Sequence, residues 1–240
     1  MDKFLNYFDA RQRETILNKS SFEDGPVITI SRLTGCDARQ IATLLVDEMN
    51  RKFNTTKWKW VDKDIIHAIA KELNTSNERV ENFYKGIELS NLSEMIMAFS
   101  GNFVSDLRLK KAIRDVVLSI CKEGHIILVG RGGVSIASGI KDSLHIRLTA
   151  PFYWRVENVM RKKQMTIEAA EEYCVETDEK RHNLILDFLD KKPLNIDYLF
   201  DATLNRSTYS EHELAELISL LYEKKVSRQI AERRSLNKIW

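Results

Sequence analysis

Five short β-prone runs are strung between helix-patterned stretches, and that alternation limits the available folds more than any other feature of the chain. Val27-Ile28-Thr29-Ile30 is almost wholly β-branched, and "HIILVG" (125–130) is a short apolar run bounded by glycines. "KWKWV" (57–61), "LHIRLTA" (144–150) and "FDATLN" (200–205) complete the set. Bounded apolar runs of this length are the pattern of parallel strands buried on both faces. Strands separated by helices make βαβ units, so the expected class is α/β: a parallel five-stranded sheet with helices on both faces.

The intervening segments supply the helices. Residues 1–20 pattern as an amphipathic helix carrying Phe4, Leu5, Phe8 and Ile16, and "SFEDGP" breaks it before the first strand. "DKDIIHAIAKEL" follows the second strand, with Asp62 as a plausible N-cap. Residues 75–120 keep helical periodicity, and "VSDLRLKKAIRDVVLSICKEG" stops at Gly124, a natural residue just past a helix end. Residues 151–190 pattern as charged helix, and "SEHELAELISLLYEK" (210–224) as a capped amphipathic helix. With three prolines, nine glycines and no repeat, no long flexible linker divides the chain. The expected organisation is an N-terminal helical extension (1–25), one α/β domain (26–226) and a basic tail (227–240).

Composition narrows the setting. The 240 residues are 43% hydrophobic and 30% charged, an ordinary globular balance. A net charge of +2 gives no general argument for nucleic acid. Cys36, Cys121 and Cys174 are far apart and form no CxxC pattern, so neither zinc nor a disulfide framework is expected. A reducing compartment fits such usage. The first seventeen residues are charged throughout and do not read as a signal peptide. No apolar run approaches the roughly 20 residues of a bilayer span. The expectation is a soluble, cytoplasmic protein without a membrane partner.

Chemistry is expected beyond the first strand, because ligands of open α/β sheets bind outside the carboxyl ends of the strands. In "TISRLTGCDARQIA" a strand leads through a loop into a helix, whose N-terminal N–H groups and dipole suit a phosphate. Strand-to-helix turns with one glycine are common, so that stretch alone is a weak signal.

Five stretches together say more. "ITISRLTGCDARQIA" resembles the "ITISR…GSGGR.IA" opening of the cytidylate kinase-like proteins, a branch of the P-loop nucleoside monophosphate kinases. "WVDKDIIHAIAKEL", "HIILVGRGG", the segment from "LHIRLTAPFYW" to "ETDEKR", and "FDATLN" are similar to later family stretches in the same order. The likeness spans roughly residues 26–225. It implies a three-layer P-loop kinase fold, with a helical acceptor-binding insertion near 62–111 and a lid near 152–182. It also implies transfer of the terminal phosphoryl group of ATP, with magnesium, to a nucleoside monophosphate or another small phosphorylated acceptor.

Arginines are the expected tools, since a planar guanidinium pairs bidentately with phosphate and stays charged. The phosphate loop would comprise Arg32, Gly35, Cys36, Asp37, Ala38, Arg39 and Gln40. By resemblance, Arg39 would meet the donor phosphates, Arg131 the acceptor phosphate, and the lid residues Arg155 and Arg161 the transferring group. Six residues turn a helix by about 240° net, so Arg155 and Arg161 do not share a face unless the helix breaks between them. Asp62, Arg131, Asp178 and Arg181 would form the acceptor site, Asp178 meeting sugar or base and Arg181 the phosphate. Asp178 and Arg181 stand three apart and so are neighbours on a helix; a plain surface ion pair has the same spacing.

Departures from the family pattern are concentrated in the loop. Aligned without gaps to "GxxGxGK", Arg32, Gly35, Asp37 and Ala38 take the places of three glycines and the lysine. A carboxylate 4 Å from a phosphate charge costs about 1 kcal/mol in water-like screening and about 4 kcal/mol at an effective dielectric of 20. Asp37 therefore either turns away or caps the helix, or else the loop no longer wraps phosphate. Gly132 stands where cytidylate-type kinases commonly have an aspartate, and the hydroxyl after the loop lysine is absent. No metal ligand is assigned among these residues.

Other residues read more plainly. Trp58, Trp60 and Trp154 pattern as packing residues and His67 as structural. A thiol at a helix N-terminus such as Cys36 can have a lowered pKa. The tail "KKVSRQIAERRSLNKIW" carries six lysines and arginines against one glutamate. Charges so spread bind weakly at physiological salt, so nucleic acid is not the expected partner. Helix-rich extensions at both ends allow a homodimer. Two functions stay open: an ATP-using phosphotransferase, or an inactive relative serving as a nucleotide- or protein-binding regulatory module.

Overall fold

The computed structural model describes residues 25–61, 106–189 and 193–236. Five parallel strands form one sheet: β1 (Val27–Arg32), β2 (Lys59–Val61), β3 (Ile126–Val129), β4 (Ser143–Thr149) and β5 (Ala202–Asn205), in the order β2-β3-β1-β4-β5. The helices are α1 (Arg39–Lys52), α2 (Asp106–Glu123), α3 (Gly133–Ile136), α4 (Phe152–Lys163), α5 (Ile167–Asp187) and α6 (Glu211–Leu236). A 3-10 turn, Ile196–Leu199, precedes β5.

The unbroken apolar runs make sense once both faces of the sheet are covered. Along β3, Ile126 and Leu128 pack with α2 and α3, while Ile127 and Val129 pack with α1 and α6. β1 divides in the same way: Val27 joins the first layer, Ile28 and Ile30 the second. Alternation with period two thus persists, hidden because both directions are apolar. Burying each such side chain stabilises the fold by about 1.5–3 kcal/mol relative to exposure. Central β1 pairs with β3 on one side (Val27 opposite Ile126) and β4 on the other (Val27 opposite Ser143), so its C-terminal end opens at the middle of the sheet edge.

Several expected boundaries agree with the structure. α2 ends at Glu123, just before Gly124. Trp58 is buried and meets Tyr222 edge-on at 5.3 Å, and Trp60 and Trp154 are half-buried against the same layer. The charged stretch after β4 is two helices, with Gln164 in the left-handed region (φ 55°) between them. Ser210 and Glu213 form a capping box at the start of α6: Glu213 N–H donates to Ser210 Oγ at 3.3 Å, and Ser210 N–H donates to Glu213 Oε2 at 2.8 Å. That helix continues to Leu236, so most of the basic tail prolongs it. The expected N-terminal helix, His67, Asp62 and most of the acceptor-binding insertion lie outside the described residues.

Candidate functional site

The loop between β1 and α1 runs over the C-terminal edge of the sheet, and the α4–α5 hairpin closes on it. A cleft of about 370 Å³ lies between them, lined by Arg32 through Arg39 from the loop, Asn158, Lys162 and Lys163 from α4, and Tyr173 and Arg181 from α5. A smaller cavity of about 60 Å³ lies beside Arg32, Leu33 and Arg181, which line both spaces. Gly130, Arg131, Gly132, Arg147, Asp178 and Phe200 also line it.

Loop and lid are fastened at Thr34. Its N–H donates to Asp178 Oδ1 at 2.6 Å, its hydroxyl lies 3.2 Å from Arg181 Nη1, and its carbonyl accepts from Arg155 Nη1 at 3.1 Å. The same Arg155 nitrogen donates to Asp178 Oδ2 at 2.7 Å, and Arg155 Nε donates to Ala150 O at 3.2 Å. Arg181 Nη1 also donates to Arg32 O. A buried guanidinium needs such partners, because an unpaired buried charge is costly. Both carboxylate oxygens of Asp178 are therefore engaged within the protein.

Gly35 makes the close fit of loop and lid sterically possible. Its φ is +88°, and a β-carbon there would lie 2.6 Å from Arg155 O, the backbone of the first turn of α4. The single loop glycine thus serves a backbone-to-backbone approach. Asn158 Nδ2 adds a long contact to Gly35 O at 3.5 Å.

Asp37 lies one residue before the N-cap, Ala38, and its carboxylate is tied to the start of α1 and to the lid. Its Oδ1 accepts from Arg39 N–H at 3.1 Å, at the start of α1, and its Oδ2 pairs with Lys162 Nζ at 2.7 Å. Partial burial works to raise its pKa, but the hydrogen bonds and charges of Lys162 and Arg39 outweigh it, so the carboxyl titrates below its usual range. Lys162 was not singled out by the sequence; its one signal is the basic last turn of the lid helix, Arg161-Lys162-Lys163.

The remaining expected residues fall in different places. Arg39 lines the loop cleft, whereas Arg131, Asp178 and Arg181 come together around the smaller cavity. Gln40 is exposed on the first turn of α1 and lines neither space. α4 is unbroken, so Arg155 and Arg161 do diverge: Arg155 is buried under the loop, while Arg161 is exposed and donates to Asn158 one turn back. Cys36 is 1% exposed, and burial pushes its thiol up to about 11 despite nearby arginines, the reverse of the lowering a helix start can give.

Gly132 has a packing explanation. Its φ is +69°, and a β-carbon would lie 2.6 Å from Phe188 Cδ2. No aspartate fits there while Phe188 keeps its position at the end of α5. Arg131, the residue before it, also has a positive φ, 58°, an uncommon conformation for a side chain this long.

A parallel sheet in this order, with a strand–loop–helix turn facing a cationic cleft and a helical lid, defines a P-loop kinase-type α/β protein. The cytidylate kinase-like family profile matches residues 27–208, and the chain belongs to that family. The crystal structure of an uncharacterized protein from Eubacterium ventriosum shares the fold at 15% identity and a TM-score of 0.53, covering 83% of this chain and 98% of that one. Shikimate kinase from Acinetobacter baumannii, in complex with shikimate, aligns at 14% identity and a TM-score of 0.48, covering 85% and 96%. In sequence, 150 residues are 23% identical to uronate isomerase of Corynebacterium glutamicum; the match covers 62% of this chain and 29% of that protein. Among the described residues, no helix is long and apolar enough to cross a membrane.

Proposed function

We propose that this protein is a kinase-like phosphotransferase that moves the terminal phosphoryl group of ATP, with magnesium, to a nucleoside monophosphate or another small phosphorylated acceptor. The observation that carries this reading is the donor set of the loop cleft. Five cationic side chains line it (Arg32, Arg39, Lys162, Lys163 and Arg181) against one carboxylate, Asp37. Among the described residues, the N–H groups of Gly35, Asp37 and Ala38 in the same loop have no hydrogen-bond partner. Unpaired loop amides beside a helix start, ringed by positive charge, suit a polyphosphate.

That donor set fits the triphosphate better than the metal. Magnesium is bound through one or two carboxylates together with phosphate oxygens and water. Asp37 is the carboxylate that lines the cleft, so most ligands of the ion would come from the nucleotide and solvent. Catalysis of this kind is positioning and charge neutralisation. Arg39 would meet the donor phosphates, and Arg131 and Arg181 the acceptor phosphate. Arg161, on the exposed face of α4, would reach the transferring group only from the cleft rim. Arg155 and Asp178 would act by holding the loop and lid together, with Asp62 an additional acceptor contact.

A specific observation favours a second reading, an inactive relative that binds nucleotide or protein as a regulatory module. Asp37 and Ala38 replace a loop glycine and the loop lysine, and Phe188 fills the space an aspartate at 132 would need. Calorimetric titration of ATP–Mg²⁺ into the unmodified protein and an Asp37→Gly, Ala38→Lys variant separates these readings, followed by ADP release with a panel of nucleoside monophosphates. Binding by the unmodified protein with ADP release on one acceptor supports the phosphotransferase. Binding without turnover on any acceptor supports the regulatory module. If neither protein binds, the phosphate-loop reading is wrong.

A further inference from the structure

The charge at Asp37 is opposed by a lysine 125 positions away, which meets it across the mouth of the loop cleft. Both side chains are half-exposed or more, 50% for Asp37 and 59% for Lys162, so the pair stands in solvent at the cleft rim. Exposed ion pairs of this kind contribute little to stability, and their partners exchange readily. Two other cations lining the cleft have partners of their own within the loop and lid. Arg181 spans Arg32 O and Thr34 Oγ1, and the Lys163 ammonium sits 4.5 Å from the centroid of the Tyr173 ring. Lys162 is directed at the loop position that replaces a glycine, immediately before Ala38, where the lysine is missing.

We propose that Lys162 supplies, from the lid, the ammonium that the loop lacks, and that Asp37 holds it at the cleft until a polyphosphate takes its place. This rests on the phosphotransferase reading and adds to it a specific residue and a resting state. One anion replaces another on the same ammonium, and Asp37 keeps its hydrogen bond from Arg39 N–H. The exchange gives Asp37 two effects: it keeps the lysine at the site of use in the resting state, and it competes with the polyphosphate for that lysine. A lysine serves here because its ammonium is a compact point charge on a flexible stem, able to swing between two anions.

The test is calorimetric titration of ATP–Mg²⁺ and of inorganic tripolyphosphate into the whole protein, in parallel with Lys162→Met, Asp37→Asn and the double variant. Lys180→Met, which removes an α5 charge paired with Glu176 away from the cleft, controls for net charge. The proposal requires opposite signs. Lys162→Met weakens both ligands at least tenfold, Asp37→Asn tightens them severalfold, and the double variant resembles Lys162→Met. Lys180→Met changes affinity less than twofold, and unfolding midpoints of all variants agree. Equal binding by Lys162→Met and the unmodified protein would overturn the inference while leaving the phosphotransferase reading standing. A pair that merely buttresses the loop would make Asp37→Asn and Lys162→Met weaken binding alike, and this also overturns it. If only Asp37→Asn binds and the double variant does not, the inference holds and Asp37 keeps the native site dormant. If no protein in the series binds either ligand, the phosphotransferase reading fails and takes the inference with it.

Discussion

Replacing Arg155 by methionine tests whether this lid arginine is a structural strut or a phosphate ligand. The guanidinium joins three carbonyl or carboxylate partners from three segments: Ala150 O, Thr34 O and Asp178 Oδ2. Its side chain is 8% exposed and that of Asp178 is 18% exposed. Methionine keeps much of the stem volume but strands the Asp178 carboxylate beneath the loop. Removing one partner of a buried ion pair typically costs 3–5 kcal/mol. Asp178 keeps the Thr34 N–H bond and some solvent, which places the expectation at the low end, about 3 kcal/mol. That is roughly a hundredfold in the folding equilibrium, since each 1.4 kcal/mol is tenfold. Urea unfolding followed by circular dichroism reads it as a lowered midpoint with an unchanged slope. Arg161→Met, on the exposed face of the same helix, should stay within about 0.5 kcal/mol. A loss below about 1 kcal/mol for Arg155→Met, scaled against losses typical of single substitutions, would refute the strut.

Two further outcomes follow from the packing around the site. Gly132→Asp, which restores the residue common in cytidylate-type kinases, should cost about 2–4 kcal/mol from overpacking on Phe188 and the positive φ together. In a Phe188→Ala background the steric part disappears and about 1 kcal/mol remains; equal costs in both backgrounds, measured by urea unfolding, would refute the clash. His145 is buried between Thr29 Oγ1 at 2.8 Å and Ser143 Oγ at 3.1 Å, and its pKa is lowered to about 4 by burial first, with Lys225 adding to the shift and Asp201 opposing it. Because the unfolded chain binds this proton near pH 6.5, stability present above that pH should be lost as pH falls towards about 4, by on the order of 3 kcal/mol. His145→Gln should flatten that segment of the pH–stability curve; an unchanged slope would contradict the assignment.

The sheet was legible because β3 carries no polar interruption and the buried start of β1 is β-branched throughout, with Thr29 its one polar residue, and a strand buried on both sides leaves that mark in one dimension. The Gly124 stop was legible for a similar reason: the residue type and the backbone requirement coincide. The break at Gln164 was not, since neither glycine nor proline marks it and the left-handed turn is imposed by packing of α4 on α5. In the site, the proximity of Asp178 and Arg181 could be read from a spacing of three, but their shared target could not. Thr34 lies more than 140 positions away, and only the folding of the hairpin over the loop brings it there. The place of Arg155 under the loop was not legible, because a charged residue on a helix carries no sign of burial. Lys162 was hidden by its neighbours, three consecutive basic residues of which one faces Asp37. The departures at 37 and 132 could be seen in the sequence; the reasons for them, Lys162 and Phe188, are tertiary.

The fastening at Thr34 has a consequence for motion. α4 holds this residue through Arg155, and α5 holds it through Asp178 and Arg181, so both arms of the hairpin end on the same residue. Neither arm can swing outward alone without breaking charge-assisted hydrogen bonds. Opening of the hairpin and reshaping of the loop are therefore a single degree of freedom. In hydrogen exchange the Thr34 amide and the lid should therefore be protected and released together. A ligand that draws the loop into a new shape pulls the hairpin with it, and one that wedges the hairpin open disassembles the loop.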